Sequence, residues 1–95
     1  MLLLIFRDEG YAMFINKAPD GRNNLCGRNI SQMRSKLKLS QRALADLLQI
    51  TGLDIDKNAI QRIEAGKRFV TDIELAALSR VLDVTIDELL SEQNE

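Results

Sequence analysis

The sequence predicts an all-α protein, and three observations carry that reading. From Asn29 onward the apolar residues recur at three- and four-residue spacing, the period of helices with one buried face. Four capping residues are each bracketed by an apolar pair placed to close the first turn. These are Ser40 with Leu39 and Leu44, Asp56 with Ile55 and Ile60, Thr71 with Val70 and Leu75, and Thr85 with Val84 and Leu89. One proline and five glycines leave the helical runs uninterrupted.

Taken in order, residues 1–27 form a block of their own, an N-terminal arm and linker. Two short apolar runs, 2–6 and 11–15, flank Arg7-Asp8-Glu9-Gly10, a pattern that fits a short β-hairpin with a Gly-containing loop. Neither run alternates cleanly, so an irregular arm or a short helix stays open. A lone hairpin is marginal in water, so an ordered arm would have to lie on the helical core or pair with a second chain. Residues 17–24, with Pro19, Asp20-Gly21 and Asn23-Asn24, read as the linker. The domain proper is expected over residues 28–92, with 93–95 as a tail.

Five helices are expected to share its core. The first spans 29–37, with Ile30, Met33 and Leu37 on one stripe. The second spans 41–48 behind Ser40 and supplies Leu44, Ala45 and Leu48. The third spans 57–65, opened by Asp56, stopped by Gly66 in a left-handed conformation, and anchored by Ile60 and Ile63. Thr71 with Glu74 and Thr85 with Glu88 are capping boxes that open the last two helices, which add Leu75, Leu78, Leu82, Val84, Leu89 and Leu90. Ala45 is small because a large side chain where two helices cross closely would overpack.

Composition narrows the function. Ninety-five residues, 45% apolar and 28% charged, make one folded domain with a modest core. Cys26 is the one cysteine, so no intrachain disulfide can form and a reducing compartment fits. With no histidine, there is neither a Cys–His nucleophile nor a zinc site. Asp54, Asp56 and Asn58 fall at the first, third and fifth positions of a calcium loop, but Ala59 and Ala65 occupy the places of its glycine and glutamate. No catalytic residues, metal or cofactor are therefore expected. No apolar run approaches the roughly 18 residues of a membrane span, and residues 2–6 are too short for a secretory signal, so the expected location is cytoplasmic.

The net charge of −1 conceals a strong polarity along the chain. Residues 28–69 carry nine basic and four acidic side chains, whereas residues 70–95 carry one basic and seven acidic. Such a chain can present one phosphate-seeking face. The third helix is where that face is expected. Its apolar stripe is only Ala59, Ile60 and Ile63, and the opposite side carries Lys57, Asn58, Gln61 and Arg62, donors suited to phosphates and base edges.

Together, Leu39-Ser40-Gln41, Leu44-Ala45, Ile60, the run Ile63-Glu64-Ala65-Gly66-Lys67 and the tail from Leu82 to Leu90 resemble the phage-repressor, or XRE-type, helix-turn-helix family. The resemblance covers about two-thirds of the chain, with the motifs in order. It implies a compact five-helix repressor-like domain that regulates transcription, usually as a homodimer on paired half-sites of double-stranded DNA. It further implies base contacts from Lys57, Asn58, Gln61 and Arg62, and phosphate contacts from Ser40, Gln41, Lys67 and Arg68. It pairs Arg34 with Glu64 as a structural ion pair.

One departure stands out. Between Gln41 and Asp56 the chain is about five residues longer than the short phage repressors, whose turn is about three or four residues. Either the second helix gains a turn or the connection bulges. Two other functions fit the same residues. An antitoxin would use the domain to regulate its own synthesis and residues 1–27 to wrap a toxin. A protein-interaction module would keep the fold without binding DNA.

Overall fold

The computed structural model describes residues 16–92; the arm over residues 1–15, for which a hairpin was one expectation, and the tail 93–95 lie outside the described residues. Five helices follow one another: α1 (Gly27–Lys36), α2 (Gln41–Ile50), α3 (Lys57–Glu64), α4 (Asp72–Leu82) and α5 (Ile86–Leu90). Among the described residues there is no strand.

The helix starts are set by the side chains that the sequence points to. The Ser40 hydroxyl accepts from the Ala43 amide at 3.0 Å and the Asp56 carboxylate from the Ala59 amide at 2.8 Å. Thr71 with Glu74 and Thr85 with Glu88 form complete capping boxes. Each cap satisfies an amide that the helix itself cannot reach. α1 starts two residues earlier than expected. Its leading N–H, from Gly27, donates to the Asn24 side-chain oxygen at 2.9 Å, so an asparagine assigned to a linker does the capping.

The helix ends share one geometry. α1 to α4 each close with a left-handed residue, Lys38 (φ 60°), Gly52 (101°), Gly66 (79°) and Asp83 (57°). At each, the following amide bonds back to a carbonyl five residues earlier: Leu39 to Arg34, Leu53 to Leu48, Lys67 to Arg62 and Val84 to Ser79. Two of the four left-handed residues are not glycine and so give no stop signal in the sequence, and Gly52 closes a helix that runs two residues past its expected end.

The longer connection turns out to be both a longer helix and an extended strap. α2 runs to Ile50 instead of Leu48, and the chain then turns at Thr51-Gly52. From there it runs straight into Asp56. Ile55 plugs this segment into the core at 1% exposure, and the Gln49 side chain donates to the Ile55 carbonyl at 2.8 Å. The start of α3 is thus held by its own anchor in the core.

The core is built around Ile30, Leu44, Leu48, Ile55, Ile60, Ile63, Leu78 and Leu89, all fully buried. Met33, Leu75 and Val84 pack against it half-buried. Two expected core residues lie outside it. Leu37 is 49% exposed because α1 has already ended and Lys38 turns the chain away. Leu90 is 39% exposed on the last turn of α5, where it lines a shallow cavity with Ala18 and Leu25. Cys26 and Ala77 take up core positions instead, at 1% and 2% exposure.

Candidate nucleic-acid interface

Ile60 and Ile63 fix α3 from below, both with no exposed surface. With those two turned inward, helical geometry turns residues 57, 58, 61 and 62 outward. Lys57, Asn58, Gln61 and Arg62 are all exposed, and no side chain among the four has a hydrogen-bond partner among the described residues. One helix face therefore presents an ammonium, two carboxamides and a guanidinium, none of them engaged among the described residues.

Among the described residues, α2 and α3 share the most extensive helix–helix contact. Their joint is reinforced at Glu64. Arg34 Nε donates to Glu64 Oε2 at 2.7 Å and Arg34 Nη2 to Oε1 at 3.0 Å, while Gln41 Nε2 donates to Oε1 at 3.0 Å. The third nitrogen of Arg34, Nη1, reaches the Leu39 carbonyl at 2.8 Å. One carboxylate thus ties α1, α2 and α3 together, with the Arg34 and Glu64 side chains 15% and 8% exposed.

A helix-turn-helix family model matches residues 30–89 of the chain. The chain belongs to the XRE-type helix-turn-helix family. No curated protein sequence matches it. Its kind of function is that of the family, DNA-binding regulation of transcription, which is not enzymatic. Among the described residues no helix is long and apolar enough to cross a membrane, and no group of acidic or cysteine side chains is arranged to hold a metal.

Seen as a member of that family, the chain distributes its other candidate residues unevenly. Ser40 and Gln41 lie at the start of α2, where the Ser40 hydroxyl oxygen caps the Ala43 amide and the earlier first-turn amides have no partner within the helix. The Gln41 carboxamide is already committed to Glu64. Lys67 is exposed just past α3, and its side chain has no hydrogen-bond partner among the described residues. Arg68 differs. Its guanidinium donates to both carboxylate oxygens of Glu74 at 3.0 and 3.1 Å and to the Phe69 carbonyl at 3.1 Å. The Arg68 guanidinium beside Glu74 holds that carboxyl below its ordinary range, outweighing the opposite pull of partial burial.

Sequence reasoning missed Arg22, Asn23 and Asn24, which bond to the turn after α3. Arg22 Nη2 donates to the Glu64 carbonyl at 2.7 Å, Asn23 Nδ2 to the Lys67 carbonyl at 3.1 Å, and Asn24 Nδ2 to those of Ile63 and Arg68 at 3.0 and 2.8 Å. Adjacent asparagines signal a turn whether or not their amides find distant partners.

Proposed function

We propose that the protein is a sequence-specific repressor that binds double-stranded DNA as a homodimer, with α3 lying in the major groove. The observation that carries this reading is the outward face of α3: four polar side chains, exposed and unengaged, on a helix whose other face is locked by Ile60, Ile63 and the Glu64 hub. Arg62 is assigned to guanine, through O6 and N7, and Asn58 to adenine, through N6 and N7. Gln61 suits a second adenine. Lys57, a flexible point charge, takes a phosphate or a guanine at the groove edge.

The phosphate contacts fall on either side. The Ser40 hydroxyl and the first-turn amides at Gln41 meet one phosphate at the positive end of α2. Lys67 meets another through its ammonium. Arg68 supports that second contact by bracing the turn, since its guanidinium is engaged with Glu74. Occupying the site is enough to obstruct a polymerase, so repression requires no surface beyond these contacts. Two copies on half-sites about one helical turn apart would give the palindromic reading usual for such domains. A DNA partner fits the cytoplasmic location expected from the sequence.

Selection from a pool of random duplexes tests the whole reading at once. A recovered palindrome with fixed half-site spacing is the expected result. Arg62→Ala should then relax preference at one base position, with each bidentate pair worth about 1–3 kcal/mol of discrimination. A pool that shows no enrichment, together with retention indifferent to salt, would remove DNA as the partner.

A further inference from the structure

The turn that closes α3 carries a row of carbonyls, and residues 22–24 meet nearly all of them. Besides the four side-chain bonds described above, the Asn23 backbone amide donates to the Gly66 carbonyl at 2.8 Å. Carbonyls of Ile63, Glu64, Gly66, Lys67 and Arg68 are thereby taken by three consecutive residues that precede α1. Asn24 is fully used: both amide hydrogens donate to the turn, its oxygen accepts from Gly27, and it is 9% exposed. Gly27 reflects the same close approach, because a Cβ there would fall on the Ile63 carbonyl oxygen.

The consequence concerns Lys67. Its amide donates to the Arg62 carbonyl at 2.9 Å, its carbonyl accepts from Asn23, and the next carbonyl accepts from Asn24. The backbone is held on both sides, while the side chain itself has no partner among the described residues. The backbone from which the Lys67 side chain projects is therefore fixed by residues 22–24. Arg68, its neighbour, is occupied by Glu74.

We infer that Asn23 and Asn24 are positioning residues for DNA binding, holding the turn after α3 so that Lys67 is presented to a backbone phosphate. The inference rests on the reading of α3 as the groove-binding helix. Both asparagines are uncharged. A change in salt dependence on replacing them points to a cation that they position, whereas contacts that merely stabilised the fold would leave that dependence intact.

The test uses the full chain and two labelled duplexes, the one recovered by selection and one of random sequence, titrated across a salt series. Asn24→Ala should lower the slope of log affinity against log salt by about 0.9, the value of one phosphate, as Lys67→Ala does. Adding Lys67→Ala to Asn24→Ala should lower it no further, and the base preference set by Arg62 should stay unchanged. Should Asn24→Ala fail to fold by circular dichroism, Asn23→Ala, whose side-chain bond is exposed, serves for the same comparison. A wild-type slope in the foldable variants, or additive losses with Lys67→Ala, would overturn the inference while leaving DNA binding in place. A wild-type chain that binds neither duplex would instead sink the reading beneath it, and this inference with it.

Discussion

Glu64 accepts hydrogen bonds from Arg34 and Gln41, and its carboxylate is the point at which α1, α2 and α3 meet. Removing it leaves the Arg34 guanidinium half-buried with only the Leu39 carbonyl to face, and an uncompensated charge of that kind is costly. Glu64→Ala should destabilise the fold by about 3 kcal/mol in urea titration. Replacing both partners by apolar residues should recover most of that loss, because no charge is then stranded. Glu74 gives a pH signature. Its folded value lies below the ordinary 4.5, so the stability it contributes is complete above that value and lost as pH falls through the lower folded one. The melting-temperature gap between wild type and Glu74→Gln should be constant at neutral pH and narrow in acid. Cys26, pushed up to about 11 by burial, should resist alkylation in the native protein and react once the chain unfolds.

At the scale of elements, capping and staple chemistry made the starts of four helices readable. A cap acts on amides within three residues of itself, so its logic is contained in a few consecutive letters. Asp56→Ala should cost about 1 kcal/mol and fray the first turn of α3, which carries Lys57 and Asn58; circular dichroism and DNA affinity should fall together. Helix ends were less readable. Lys38 and Asp83, both exposed, adopt the left-handed conformation that closes their helices, and neither is the glycine that would announce it. The start of α1 escaped for a related reason, since Asn24 caps it while bonding across to α3. Gly27→Ala should therefore do more damage than an ordinary substitution near a helix start, displacing α1 from the end of α3. A large drop in the urea midpoint would register it.

For the whole molecule, the charge polarity along the chain becomes a division of labour between segments of the fold. The outward face of α3 and Lys67 come from the basic middle third, while the acidic last third supplies the capping boxes of α4 and α5 and the Glu74 brace. DNA affinity should decline with salt by about 0.9 in slope for each phosphate neutralised. A chain acting on paired half-sites should also appear as a dimer by light scattering, at least when bound to the selected duplex. The four outward residues of α3 were legible in advance because helical periodicity assigns them a face as soon as Ile60 and Ile63 are recognised as anchors. Arg68 was not, since its bidentate bond to Glu74 depends on how the loop to α4 folds back.

What the sequence determined by itself was whatever short-range chemistry controls: the all-α class, four helix starts, the buried stripe of each helix and the polar face of α3. What only the tertiary structure decided was how side chains distant in sequence share partners. Arg22, Asn23 and Asn24 reach a turn some forty residues away, and Arg68 turns toward Glu74 instead of outward. The physical reason is range. Caps and periodicity act over one or two turns of chain, whereas a carbonyl's partner is set by which groups the packed core brings within about 3 Å of it.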